Sequence, residues 1–135
     1  MSIAKVRTAL EIALHTMTPA LATAWENQDF SPTPDTPYQA AHLLPATPEN
    51  STMGDGHYRE RGIMQVTLNY PVNGGSSAAM ARAELIRSTF FRGASFTSGG
   101  VTTRISAKPE VGRGVVVNDR WVLPVSIRYF ADVFA

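Results

Sequence analysis

Two stretches of period-two alternation constrain this chain most. In a strand that begins near Arg59, Met64, Val66, Leu68 and Tyr70 point one way while Gln65, Thr67 and Asn69 point the other. Later, Trp121, Leu123, Val125, Ile127 and Tyr129 alternate with Arg120, Val122, Pro124, Ser126 and Arg128. Successive side chains of a strand face opposite sides of the sheet, so each run has one apolar face that must be buried. The chain therefore needs a sheet with one covered face, and amphipathic elements to cover it.

Two helices are available for that. Behind Ser2 as N-cap, Ile3, Val6, Leu10, Ala13, Leu14 and Met17 recur at three- and four-residue steps, and the helix ends before Pro19. Its other face carries Arg7, Glu11 and His15, each one turn from the next. Ile12 lies off the apolar stripe, either as an ordinary exposed residue or as a contact with another subunit. A second helix, capped by Ser76 or Ser77, runs to about Phe91, with Ala79, Ala83, Ile86 and Phe90 as its stripe. Met80 and Phe91 fall on the side of Glu84 and Arg87, an apolar pair with no internal partner in view.

Strands are also expected over Thr23–Asn27, Tyr38–Leu44 and Val101–Ser106, with a loop through Gly99 and Gly100 and a turn around Pro109. Val115, Val116 and Val117 lead through Asn118 and Asp119 into the last run, and both turn residues tolerate the left-handed conformation of a tight hairpin. Pro124 then has to aim its missing donor away from the ladder. Pro32, Pro34, Pro37, Pro45 and Pro48 leave the Tyr38 strand near an edge. Residues 45–57 form a long polar loop between the second and third strands, of the kind that is functional or mobile. The reading is one α+β domain over residues 1–135: a mainly antiparallel sheet with two helices packed on one face, and no internal repeat.

Composition narrows the function. A chain of 135 residues supports one core. With no cysteine, disulfides, thiolate metal sites and thiol nucleophiles are excluded. A net charge of +1 provides no global field for nucleic acid or anionic lipid. No apolar run reaches the roughly 18 residues of a membrane span, and Lys5, Arg7 and Glu11 interrupt the N-terminus as an export signal. Charged residues make up 17% of the chain, below the roughly 25% usual for soluble domains. Ser and Thr, 23 in all, supply the polarity instead.

No catalytic, cofactor or metal set emerges. His42, Asp55, His57 and Glu60 share a region but lack the spacing that puts two imidazoles on one helix face. There is no Gly-x-Ser-x-Gly elbow. Asn73 to Ser77 precede a helix without the lysine of a phosphate-binding loop, and Asp29 and Asp35 show no distinctive carboxylate spacing. Arginine stands out, as ten of twelve basic residues. Arg59 and Arg61 flank Glu60, and Arg104 and Arg128 occupy polar strand positions. Because Trp121 and Tyr129 face away from Arg120 and Arg128, protein contacts are favoured over nucleic acid, with codon bias as the alternative cause of the arginine preference.

The ordered pieces resemble the tail terminator proteins of long-tailed bacteriophages and prophages. The resemblance is carried by the first helix, Trp25-Glu26-Asn27, the proline-rich Phe30 to Tyr38, Gly54-Asp55-Gly56, Arg61-Gly62-Ile63-Met64-Gln65-Val66 and the helix ending in Phe90-Phe91. It implies a non-enzymatic structural protein without cofactors, located in the virion tail after assembly in the bacterial host cytoplasm. It further implies a homohexameric ring on the last ring of tail-tube protein, which stops tube growth and meets the head-tail connector. DNA passes through the lumen only, and no membrane is involved. The long loop is mobile in monomers of the family and is ordered by neighbours or by the tube.

Position then makes Asp55, His57, Arg59 and Arg61 candidate loop and strand-edge contacts, with Arg82 and Arg87 on the accessible side of the second helix. The alternatives are a neck or head-completion protein of the same virion and, in a different class, a small ligand-binding α+β domain.

Overall fold

The two alternating runs pair with each other. In the computed structural model, which describes residues 2–17, 21–31, 36–50, 56–72 and 74–134, they form the centre of one sheet. In chain order the elements are α1 (Ser2–His15), β1 (Ala22–Trp25), β2 (Tyr38–Pro45), β3 (His57–Pro71), α2 (Ser77–Thr89), β4 (Ser95–Ser98), β5 (Val101–Ile105), β6 (Glu110–Val111), β7 (Val115–Val117) and β8 (Arg120–Phe134). β3 and β8, each 15 residues long, are antiparallel over their full length, with Met64 opposite Ile127 and Val66 opposite Val125. That register stacks the apolar positions of both strands on one face.

The sheet runs β1-β2-β3-β8-β5-β4. Along its free side β8 takes three short partners in turn: β7 at Arg120–Val122, β6 at Val125–Ser126 and β5 at Tyr129–Ala131. Pro124 sits one position beyond the β6 pairing, opposite Gly112, and its carbonyl accepts from the Gly112 amide at 2.8 Å. Its missing amide proton points the same way, away from β3, so the β3–β8 ladder is intact and only the return bond to Gly112 is absent.

The expected fold class needs correction. β1 runs parallel to β2, making the sheet mixed rather than mainly antiparallel. It is also curled, and strands take 48% of the described residues against 22% for helices, so the protein is mostly β rather than the mainly antiparallel α+β layer expected. The cause lies in the connection. Parallel neighbours need a crossover of about a dozen residues, and that is the sequence separation between Trp25 and Tyr38.

Two short strands escaped the sequence reading. β4 is polar apart from Phe96 and joins β5 through Gly99 and Gly100, whose φ angles of 56° and 82° suit a tight hairpin. β6 spans two residues. By contrast, the Asn118–Asp119 hairpin is present, with Asn118 left-handed at φ 54° and Val117 paired to Arg120. β2 lies one strand in from β1.

One apolar cluster joins the layers: Val6, Leu10 and Leu14 of α1, Ala79, Ala83 and Ile86 of α2, and Met64, Val66, Leu68, Leu123, Val125 and Ile127 of the central strands. α1 packs on β3, β4 and β5, and α2 on β3. Phe90 closes this core while Phe91 is 56% exposed. α2 starts without a side-chain cap from Ser76.

Candidate functional site

Strand parity puts the strand-borne candidates on the face of the sheet opposite the core. Because Met64, Val66 and Leu68 point inward, His57, Arg59 and Arg61 point outward, opposite Phe134, Asp132 and Phe130 of β8. The Asp132 carboxylate joins the first two. It accepts two hydrogen bonds from Arg59, from Nε at 2.9 Å and Nη2 at 3.1 Å, and lies 3.1 Å from His57 Nε2. Such fork-to-fork pairing fixes geometry as well as charge. The Arg59 hydrogen bonds, with help from His57, hold the Asp132 carboxyl below its ordinary range against the opposing effect of burial, and the same bonds raise the Arg59 guanidinium.

Aromatic rings frame this pair. The Arg59 guanidinium stands 4.4 Å from the centroid of Phe130, and the His57 ring 4.8 Å from that of Phe134.

Arg61 is engaged elsewhere. It donates to the Thr47 carbonyl at 2.9 Å and pairs with Glu49 at 3.2 Å. The main chain follows: the Ala46 amide donates to Arg61, and Glu49 and Arg59 exchange hydrogen bonds of 2.9 and 2.8 Å. Residues 46–49 therefore run beside β3, and both arginines act as side-chain anchors for that segment and for β8. Asp55 lies outside the described residues.

Arg82 corrects an expectation. It is only 6% exposed rather than on the accessible side of α2. The reason is helical spacing: Arg82 follows Ala79 by three residues and precedes Ile86 by four, which places it on the apolar stripe. Burial lowers the pKa of its guanidinium and raises that of Tyr70 beside it. Arg87 is half-buried and donates to the Pro109 carbonyl at 2.9 Å, tying α2 to the turn before β6.

Two carboxylates were missed as partners. Asp132 is separated from Arg59 by most of the chain, and only the β3–β8 register brings them together. Glu26 accepts from the Leu43 amide, which lowers its pKa, and pairs with Arg7 at 3.0 Å. The alternating run in the sequence ends at Tyr129, short of Asp132, so the β3–β8 register alone brings that carboxylate to Arg59.

Among the described residues no three His, Asp or Glu side chains gather to hold a metal ion, and no helix is long and apolar enough to cross a membrane. Among the described residues, one open surface cleft of about 440 Å³ is lined by Glu84, Arg87, Phe91, Arg92 and Lys108.

The model of the phage tail terminator protein family matches residues 5–129. The chain belongs to that family. Tail terminators are structural components of the phage tail and are not known as enzymes. A solved structure similar to this terminator has a TM-score of 0.80 and 28% identity, over 100% of this chain and 99% of the other. No curated protein matches the terminator sequence.

Proposed function

We propose that this terminator assembles as a hexameric ring on the last ring of tail-tube protein, ends tube polymerisation there and presents the surface to which the head-tail connector binds. DNA passes through the lumen of the ring without sequence readout. The protein reaches the virion tail after assembly in the host cytoplasm. The observation that carries this reading is the family match across residues 5–129, supported by the surface. Ile12, Met80, Phe91 and the three valines of β7 are all exposed, an apolar load that a subunit covers on assembly.

The outer strand face contributes polar contacts. Arg59 and Arg61 hold residues 46–49 and the end of β8 in place, so that the Pro45–His57 segment and His57 meet a neighbouring subunit or the tube. Arg87 contributes from the half-buried side of α2. Arg82, being buried, supports the helix from within.

The test is addition of the purified protein to growing tail tubes, followed by electron microscopy and light scattering over a concentration series. Tubes are expected to stop at a capped end, with rings at high concentration or on tubes. Continued tube growth with no bound protein, or attachment to heads in place of tails, would sink the proposal.

A further inference from the structure

We infer that the cleft at the C-terminal end of α2 receives a peptide segment of another tail component, one that carries carboxylates around an apolar side chain. The inference rests on the proposed assembly for the source of that segment and names its chemistry.

Three stretches of chain build the cleft. Glu84, Arg87 and Ser88 belong to the last turns of α2, Phe91 and Arg92 to the turn that follows, and Lys108 to the turn before β6. Hydrogen bonds hold these walls together. Arg87 Nε donates to the Pro109 carbonyl at 2.9 Å, and the Gly93 amide donates to the Ile105 carbonyl at 2.8 Å. Pro109 itself is buried, so the stretch bearing Lys108 is anchored in the fold. A site fixed before binding loses little entropy when it is filled.

Charge in the cleft is one-sided. Arg87, Arg92 and Lys108 face a single carboxylate, that of Glu84. Arg87 meets Glu84 at 3.8 Å, which leaves Arg92 and Lys108 exposed and without an ion pair among the described residues. Phe91, 56% exposed, adds an apolar surface to the same concavity. Two uncompensated cations beside an aromatic ring match a segment that brings carboxylates and an apolar side chain, because the carboxylates neutralise the charge while burial of the ring supplies affinity. A volume of about 440 Å³ suits a short segment.

Nucleic acid fits this cleft less well. α2 presents its C-terminal end here, the negative end of the helix dipole, which disfavours a phosphate chain. The carbonyls of Arg87 and Ser88 follow the last helical bond, from the Phe90 amide to Ile86, and accept no backbone amide among the described residues. A peptide donates its own amides to such carbonyls, whereas a phosphodiester has no donor to offer. Glu84 repels phosphate as well, and one exposed ring is no stacking platform.

The probe is a fluorescein-labelled peptide of aspartates around a central leucine, titrated with the full chain and read by fluorescence anisotropy. It is expected to bind and to weaken as salt is raised. The double variant Arg92→Glu, Lys108→Glu should lower its affinity about tenfold or more with unchanged circular dichroism. Phe91→Ala should lower it about threefold or more, and leave binding of a glycine-centred peptide unaffected. No binding, equal binding by the double variant, or tighter binding of a single-stranded oligonucleotide of the same charge overturns the peptide assignment. Capping of tail tubes then tests the source. Loss of capping in the double variant supports a tail component, whereas intact capping, or altered self-association of the purified protein in its place, overturns that source. A wild-type chain that binds the peptide but caps no tubes refutes the proposed assembly and leaves the chemistry of the cleft standing.

Discussion

Arg59 and Asp132 sit directly opposite one another on β3 and β8, and two hydrogen bonds of 2.9 and 3.1 Å join their side chains. The pair stands near the start of β3 and the end of β8, where the ladder is most exposed to fraying. Its effect is therefore local: it fixes the strand ends that carry His57 and Phe134.

Acid should loosen these ends. Asp132 has a folded-state pKa depressed by Arg59 and His57, so the unfolded chain takes up the proton first. The contribution of Asp132 is present above the usual carboxylate range near 4 and is lost as pH falls through its lower folded value. Protection of the amides in residues 57–60 and 131–134 against hydrogen exchange should fall in that window. Asp132→Asn should show low protection there at neutral pH and a flattened pH response, with little change in global unfolding.

Gly62 is required by close approach. A Cβ at this position meets the Leu44 carbonyl oxygen and the Tyr129 hydroxyl, both at 2.6 Å. Gly62→Ala is expected to cost about 1–3 kcal/mol in chemical denaturation, typical of overpacking. Adding Tyr129→Phe should recover only part of the loss, because the Leu44 backbone cannot retreat.

Tyr129 should titrate late. Burial first, and the nearby Glu60 second, push its phenol up to about 12. Ultraviolet difference titration should show a tyrosine step near pH 12, and Tyr129→Phe should remove that step.

Adjacent phenylalanines should separate stability from assembly. Phe90 is fully buried and Phe91 is 56% exposed. Phe90→Ala is expected to destabilise the monomer by about 3–5 kcal/mol. Phe91→Ala should change thermal unfolding by no more than about 0.5 kcal/mol. Calorimetry of both variants distinguishes the two roles.

The hairpin makes a backbone prediction. With φ at 54°, Asn118 occupies a conformation that costs a β-branched residue about 1–2 kcal/mol. Asn118→Val should destabilise by that amount in urea, whereas Asn118→Gly should be close to neutral.

Much of the architecture is legible from local pattern. Alternation in the 64–70 and 121–129 runs determined which faces of β3 and β8 are buried, and three- to four-residue spacing determined the stripes of α1 and α2. Asn118 and Asp119 determined the second hairpin, and the spread of soft motifs along the chain pointed to its family. These signals are short-range: they follow from the geometry of single strands, helices and turns.

Tertiary structure decided the rest. The parallel pairing of β1 with β2 depends on where a proline-rich crossover delivers the chain, and no periodicity encodes that destination. Arg82 reads as a surface residue by chemistry, yet its helical phase buries it between Ala79 and Ile86. Asp132 becomes the partner of Arg59 and His57 only when the β3–β8 register is set over 15 residue pairs. Sequence alone determined the faces of the elements. The register and crossover that bring particular side chains together are set by burying all those faces in one core.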